Sequence, residues 1–184
     1  MLAFWVNSTA QLRSDLAFQS IPDSLMKNAQ EVVRFEKKFF KIRSTKEGAI
    51  SYKKAVTILS KSSSANQIEL YYDAASKLGR VRANLYDAFG NLIRKVEQSE
   101  IKDLPANGAS TIAGDDRVKI LKVNHNQYPY TLEYEYDQEL RGMYYCVFPD
   151  WHIQYYNASL QEGRFKIELP KDMTFYYKAM NIDI

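Results

Sequence analysis

The chain alternates apolar and polar residues over most of its length, which is the pattern of β-strands that bury one face. Near the C-terminus, Phe165, Ile167 and Leu169 alternate with charged residues, and the same period of two runs through residues 67–73. The pattern therefore predicts an all-β protein.

About ten strands are predicted, joined by short connections. The first covers residues 31–42, where Val33 and Phe35 alternate with charged residues before the run at residues 37–41 introduces an irregularity. The other strands are predicted at residues 49–60, 67–73, 81–87, 91–96, 117–123, 131–140, 143–148, 155–160 and 164–169.

Glycine and proline residues mark the connections between these strands. Gly90 can take the positive φ that a short hairpin loop requires, which makes residues 81–96 the clearest hairpin. Pro22 lies near a helix start, so a helix of one or two turns is expected within residues 21–29. Residues 105–114 contain two glycines and small polar residues, and we interpret them as a variable or contacting loop.

Strands with short connections and one brief helix favour an antiparallel β-sandwich, in which two sheets bury their inner faces against each other. A chain of 184 residues accommodates this core as one domain with an N-terminal appendage. We therefore expect residues 11–30 to form an N-terminal segment with the short helix, and residues 31–184 to form the sandwich.

Residues 1–10 resemble the end of a secretory signal. Residues 2–6 are apolar, and Ser8, Thr9 and Ala10 place small residues where a signal peptidase would cleave. The pattern predicts an exported protein, in the periplasm or at the cell surface, and an ordinary apolar segment is the alternative interpretation. The sequence contains no apolar run of the length that a membrane-spanning helix requires.

The charge balance gives no indication of nucleic-acid binding. Lys and Arg number 25 against 22 Asp and Glu, so the formal net charge is only +3 and the two signs are interspersed. Basic residues interleaved with phenylalanines at residues 34–43 suit a nucleic acid superficially. Glu36 interrupts this run, so we interpret it as a solvated strand face beside buried aromatic residues.

Few residues suggest catalysis. Cys146, the only cysteine, could act as a nucleophile with His152 and Asp150 if the imidazole lowered the pKa of the thiol. However, Cys146 shares strand parity with Tyr144 and Phe148, which indicates a buried and inert thiol. We therefore predict no catalytic residue, and the sequence shows no cofactor-binding motif.

The histidines and clustered acidic residues lack the spacing of a metal site, so none is predicted. The set considered is His125, His152, Asp115, Asp116 and Asp150. The pair Asp115-Asp116 with Arg117 is better interpreted as structural, because carboxylates at a strand start accept loop N–H groups and arginine pairs with a carboxylate.

Five short motifs follow one another along the chain, and their order is more specific than any one of them. They are Tyr71-Tyr72-Asp73, Leu85-Tyr86-Asp87-Ala88-Phe89-Gly90, Asp115-Asp116-Arg117, Tyr128-Pro129-Tyr130 with Glu133-Tyr134-Glu135-Tyr136, and Pro149-Asp150-Trp151. In this order, residues 31–181 resemble the DUF3857 domain, found at the N-terminus of transglutaminase-like proteins of Bacteroidetes-type bacteria. We name as candidate structural or contact residues Asp115, Asp116, Arg117, Tyr128, Pro129, Tyr130, Asp150 and Trp151.

The resemblance implies an immunoglobulin-like β-sandwich that precedes a transglutaminase-like or peptidase core with a Cys-His-Asp triad. Cys146 does not occupy the family's catalytic position, so no triad residue can be assigned, and the core is expected to lie outside this chain. The function implied is a non-catalytic accessory domain of an exported protein that packs against, positions or gates that core.

An independent module that binds a glycan or a peptide is the alternative function. It would use the loop at residues 105–114 together with exposed aromatic side chains, although such residues more often belong to the core and its rim. The aromatic residues considered are Tyr71, Tyr72, Tyr155, Tyr156, Tyr176, Tyr177 and Trp151.

The interpretation of Cys146 can be tested by thiol labelling of the native protein. A thiol packed with apolar neighbours should stay unlabelled until the protein is denatured. Cys146→Ser should leave any activity intact. Rapid labelling of the folded protein, or loss of an activity without loss of folding, would contradict the prediction.

Overall fold

The computed structural model describes residues 12–106, 115–143, 148–153, 155–174 and 176–178. These residues form one short helix, α1 (Asp23–Met26), and single 3-10 turns at Ser14–Leu16, Phe18–Ser20 and Gln98–Glu100. The strands are β1 (Glu31–Ile42), β2 (Glu47–Ile58), β3 (Gln67–Tyr72), β4 (Ser76–Leu78), β5 (Arg82–Tyr86), β6 (Leu92–Lys95), β7 (Lys102–Pro105), β8 (Arg117–Lys122), β9 (Tyr130–Arg141), β10 (Ala158–Leu160) and β11 (Gly163–Glu168).

Eight of these strands form the larger sheet, in the order β10-β1-β2-β9-β5-β6. The long strands β1, β2 and β9 pair antiparallel and form its centre. β10 and β11 follow each other along the free edge of β1, and both pair with it in parallel. β4 and β5 share the opposite edge of β9. The sheet is therefore antiparallel at its centre and parallel at one edge.

The smaller sheet, in the order β3-β8-β7, covers one face of the larger sheet, which we call the inner face. Val33, Val56 and Leu132 of the larger sheet pack there against Ile68 and Leu121 of the smaller one, and all five are buried. Two packed sheets with an apolar layer between them confirm the predicted all-β sandwich.

A β-bulge at Arg34 divides β1 into two parts. Val33 lies opposite Val56, but Phe35 lies opposite Ala55, so Arg34 is an extra residue in the pairing. The irregularity predicted at residues 37–41 is therefore found nearer the start of the strand. After the bulge, Glu36 and the alternate residues that follow it point to the inner face.

In the second half of the inner face, β11 and the chain after it contribute apolar side chains beside those of β1 and β2. Phe40 and Ile50 pack against Phe165 and Ile167 of β11, which belongs to the same sheet, and against Leu169, which follows β11. Phe165, Ile167 and Leu169 alternate with charged residues in the sequence. The buried strand face that this alternation predicted is confirmed.

The N-terminal segment covers part of the opposite face, which we call the outer face. Leu16 packs there against Phe35, Ala55 and Tyr86. The Arg34 guanidinium, although expected on a solvated face, is buried and holds this segment. It donates to the carbonyl oxygens of Asp15, Leu16 and Ala17 and to the hydroxyl groups of Ser20 and Thr57.

The predicted hairpin at Gly90 is confirmed, since β5 and β6 pair antiparallel and Gly90 has a φ of +86°. A Cβ at this position would lie 2.2 Å from the carbonyl oxygen of Arg13. The turn therefore needs glycine both for its φ and for the close approach of the N-terminal segment.

Other parts of the chain differ from the strand prediction. The predicted strand at residues 155–160 is shorter, because only β10 pairs with β1. The sequence pattern did not identify β4 and β7, each of three or four residues. Residues 1–10, residues 144–147 of the strand predicted at residues 143–148, which include Cys146, and most of the loop at residues 105–114 lie outside the described residues.

Replacing Arg34 with methionine should destabilise the protein by about 3 kcal/mol, because buried carbonyl oxygens would lose their donors while the packed stem is kept. Arg80→Met is the matched control, since Arg80 is exposed and such substitutions usually change stability by less than about 0.5 kcal/mol. Urea unfolding measures both. Equal unfolding midpoints for the two variants would contradict the anchoring role of Arg34.

Candidate functional site

The acidic pair before β8 and the arginine that follows hold the loops of the smaller sheet. Asp115 accepts the backbone N–H of Ala74 at 3.1 Å. Arg117 donates from Nε to Asp103 at 2.9 Å and to the Tyr72 hydroxyl at 3.1 Å. Asp116 is exposed, and its carbonyl oxygen accepts the N–H of Ala106. These contacts join neighbouring strands and loops of the smaller sheet to one another.

The Tyr128-Pro129-Tyr130 corner leads into β9. The peptide bond between Tyr128 and Pro129 is cis. Tyr130 is buried in the layer between the sheets, where its ring meets His125 edge-on at 5.0 Å, whereas Tyr128 is 39% exposed. Burial raises the pKa of Tyr130 to about 12. Tyr130 is therefore a core residue, and Tyr128 lies at the surface beside it.

Asp150 and Trp151 lie along the β11 side of the larger sheet. The carbonyl oxygen of Asp150 accepts a hydrogen bond from the Lys38 ammonium, and Asp150 is exposed. The Trp151 ring packs against Phe165 at 5.7 Å and against Gly163. The three groups of candidate residues thus occupy three different parts of the fold, and the described contacts do not join them into one site.

A buried polar cluster on the inner face did not emerge from the sequence. The Glu36 carboxylate accepts the Tyr52 hydroxyl at 2.9 Å and lies 3.2 Å from the Lys54 ammonium. Tyr134 packs against Tyr52 at 5.9 Å between ring centroids, and Lys54 lies 5.3 Å from the centroid of the Tyr155 ring. Burial of this cluster raises the pKa of Tyr52 and Tyr134 well above the ordinary tyrosine value. The cluster is internally paired.

A second buried carboxylate, Glu133, lies on the outer face of β9. Its carboxylate accepts hydrogen bonds from the Arg13 guanidinium at 2.9 Å and from the Tyr86 hydroxyl at 3.0 Å, and it lies 3.1 Å from the Lys53 ammonium. Burial acts to raise the pKa of Glu133, but the hydrogen bonds from Lys53 and Arg13 outweigh it, and the pKa lies below its ordinary value. Glu133 therefore joins the N-terminal segment to the centre of the sheet.

Beyond the N-terminal segment, the outer face carries an open groove of about 290 Å³. One side is basic and is formed by β1 and β11, while the opposite side contains the acidic residues of β9. Between them, β2 contributes Ser51 and Lys53. The outward side chains of this groove are Lys37, Phe39, Ser51, Lys53, Arg82, Glu135, Asp137, Arg164 and Lys166.

An exposed aromatic patch lies at the β10 edge of the inner face. Ile153 is 47% exposed, Tyr155 is 50% exposed and Tyr156 is fully exposed. Together with Ala158 and Leu160, these residues line a cavity of about 660 Å³. Tyr155 and Tyr156 also border a neighbouring cavity of about 480 Å³ that is lined by polar side chains. We call Ile153, Tyr155 and Tyr156 the edge patch.

Within the described ranges, no group of three or more histidine, cysteine, aspartate or glutamate side chains is arranged to hold a metal ion. Nor does any helix in those ranges have the length and apolar character that crossing a membrane requires.

Comparison with protein families matches residues 44–182 to DUF3857, a domain of unknown function with a solved structure. This match covers most of the chain. The chain belongs to the DUF3857 family. Although β1 lies outside the matched residues, it pairs along both of its edges within the larger sheet of this DUF3857 domain.

The DUF3857 domain is similar in fold to a putative protease from Parabacteroides distasonis, with a TM-score of 0.63 and 12% sequence identity. The similarity covers 77% of this chain but only 29% of the other chain, so the domain spans less than a third of the length of that protein. A CBM3a-L domain from a scaffoldin of the cellulosome of Clostridium thermocellum also matches, with 17% identity over 64% of this chain and 71% of that chain. Its TM-score of 0.33 is too low to support an argument. No curated protein matches the chain.

The pH dependence of stability should report on Glu133 in this DUF3857 domain. Because its folded-state pKa lies below the ordinary value of 4.5, its stabilisation is present above about pH 4.5 and is lost as the pH falls through the folded-state pKa. Glu133→Gln should lower the free energy of unfolding by about 2 kcal/mol at pH 7. The difference from the unchanged protein should shrink at acid pH.

Urea unfolding across this pH range measures the effect. Glu47→Gln, which changes an exposed glutamate of β2, is the matched control and should have little effect. A Glu133→Gln effect that stays constant with pH would show that the lost contribution is not the charge of the carboxylate.

Proposed function

We propose that this DUF3857 domain is a non-catalytic accessory domain that packs against and positions a separate catalytic core of the transglutaminase-like or peptidase type. The observation that carries the proposal is the similarity to the putative protease. The shared fold accounts for 29% of that chain, so there the sandwich is one part of a larger protein.

The buried ionisable groups of the domain support a structural rather than a catalytic role. Glu36 is paired with Tyr52 and Lys54, and Glu133 is paired with Arg13 and Lys53. A catalytic acid or base needs access to a substrate atom at hydrogen-bonding distance. These carboxylates instead direct their oxygen atoms at partners within the domain.

The edge patch is the surface that we assign to the contact with the core. Aromatic side chains combine a large apolar area with a polar end, and they are enriched at protein interfaces. Tyr155 is held by its contact with Lys54, while Tyr156 and Ile153 project from the same edge. Because Tyr155 is already held, its side chain can bind a partner with little loss of freedom.

Export of the protein is part of this proposal. It rests on residues 2–10, which lie outside the described residues, and on the resemblance to exported transglutaminase-like proteins. Amino-terminal sequencing of the protein recovered from the native cell envelope or medium tests it. Recovery of the protein only from the cytoplasm, with its first residues intact, would contradict export.

The accessory role can be tested in the protein encoded by the complete native reading frame, which is expected to contain a Cys-His-Asp core. The double variant Ile153→Ser/Tyr156→Ser should make the sandwich and the core unfold separately and should lower the activity of the core severalfold. Thermal unfolding and limited proteolysis measure the coupling between the two parts.

Tyr71→Ser is the matched control, because Tyr71 is 62% exposed but lies on the smaller sheet, away from the edge patch in the fold. It should leave the coupled unfolding unchanged. A native reading frame without a Cys-His-Asp core would refute the accessory role. Unchanged coupling in the double variant would refute the assignment of the edge patch.

A glycan- or peptide-binding module is the second candidate, and the polar cavity beside Tyr155 and Tyr156 is the observation that favours it. Lys54, Gln67 and Asn157 line this cavity and can form hydrogen bonds with a ligand. Binding of the chain to a glycan array or a peptide pool, abolished by Tyr156→Ser, would support it. Uniformly negative binding would count against it.

A further inference from the structure

Three cationic side chains lie next to one another in a row across the groove of the outer face. Lys37 is directly opposite Arg164 on one side and directly opposite Lys53 on the other. Neighbouring strands are about 4.8 Å apart, and like charges at opposed positions destabilise a sheet. Lys166 adds a fourth cation two residues further along β11. The row therefore requires negative charge nearby.

At the β11 end of the row, the domain supplies this charge only in part. A single carboxylate, Glu162, lies 3.2 Å from the Lys37 ammonium and 3.6 Å from the Arg164 guanidinium. Lys166 lies 5.1 Å from the centroid of the Phe39 ring, and in the described part of the chain no carboxylate is within ion-pair distance of it. Cationic charge is therefore in excess at this end.

At the other end, the carboxylates are shared between cations in the same way. The Lys53 ammonium lies 3.1 Å from Glu133 and 3.6 Å from Glu135, and each of these glutamates also pairs with an arginine. Neither glutamate can turn toward the β11 end without leaving its arginine. The excess positive charge on β1 and β11 is thus not relieved from this side of the groove.

The shape of the groove favours a short extended ligand. Ala49 and Ser51 are small residues on β2, and they separate longer side chains on β1 and β9. Phe39 adds a partly exposed ring beside them. A volume of about 290 Å³ is at the lower limit for small-molecule sites, so a few residues of peptide fit and a folded domain does not.

The acidic residues of β9 limit how much negative charge the ligand can carry. Glu135, Asp137 and Glu139 occupy alternate positions on the outer face, two strands or about 10 Å from β1. A nucleic acid or other continuous polyanion bound over β1 would also come close to these carboxylates. The distance of about 10 Å is about one Debye length, so salt does not fully screen the repulsion between the polyanion and the carboxylates. One carboxylate placed over β1 and β11 avoids this repulsion.

We propose that the groove binds an extended peptide that places one carboxylate among Lys37, Arg164 and Lys166. The arginine offers paired donors to a carboxylate, and the lysines add attraction without fixed geometry. An apolar side chain next to the carboxylate contacts Phe39. This site lies on the outer face and is independent of the accessory role of the edge patch.

The carboxylate can come from an acidic side chain or from a peptide C-terminus, and three peptides with Gly-Ser flanks distinguish the sources. The first has a central Glu-Phe pair and an amidated C-terminus, the second has Gln-Phe and a free C-terminus, and the third has Gln-Phe and an amidated C-terminus. When the first peptide, the second peptide or both are added, the NMR signals of backbone amides in β1, β2 and β11 should shift. The third should give no shifts.

Lys166→Glu should weaken binding by about tenfold or more, because it replaces attraction by repulsion, and added salt should weaken binding to the unchanged protein. Lys166→Met, which keeps the side-chain stem, should give a smaller loss. Lys102→Glu is the matched control, since Lys102 is exposed on the smaller sheet, and it should bind as the unchanged protein does.

Three results would overturn the proposal. They are shifts from neither carboxylate peptide, equal binding by the Lys166→Glu variant, and tighter binding of a single-stranded oligonucleotide than of either carboxylate peptide. Because these experiments use this chain alone, their failure leaves the accessory role standing, and failure of the accessory role leaves this site standing.

Discussion

The extra residue that Arg34 inserts into β1 is the constraint on which the rest of the structure depends. Without it, Val33 and Phe35 would share a face and the alternation would continue unchanged along the strand. With it, Val33 points into the layer between the sheets, while Arg34 and Phe35 both serve the outer face. One residue thereby anchors the N-terminal segment and reverses the facing of every later residue of β1.

The reversal explains why the inner face has two different halves. Before the bulge, Val33 packs under the smaller sheet. After it, Glu36 and Lys38 precede Phe40 on the inner face, so a polar cluster separates two apolar ones. Burying a charged group without partners is costly, and the tyrosines of β2 and β9 supply hydrogen bonds and ring contacts that offset this cost.

The alternation of residues predicted the all-β class, most strands and the Gly90 hairpin, because each of these depends on local sequence. It did not locate the bulge, since β1 carries charged and apolar residues on both faces and either register gives a plausible strand. The burial of Glu36 and Glu133 could not be predicted for a related reason. Their partners Lys54 and Arg13 are far away in sequence. The pairing of β1 with β2 brings Lys54 to Glu36, and the contact of the N-terminal segment with the Gly90 turn brings Arg13 to Glu133. The repeated Glu-Tyr pattern at residues 133–136 carried the one available signal, because it places both tyrosines on one face and both glutamates on the other.

The same separation of faces allows one small domain to present two surfaces with different chemistry. The inner edge exposes aromatic rings whose contacts depend on apolar area and are little affected by salt. The outer groove exposes cations whose contacts depend on charge and weaken as salt is added. Because β2 and β9 contribute buried residues to both faces through alternate positions, a ligand on one face can influence the other only by moving these strands. The strands pair over twelve residues each, so such movement would disrupt the centre of the sheet, and the two surfaces are expected to act independently.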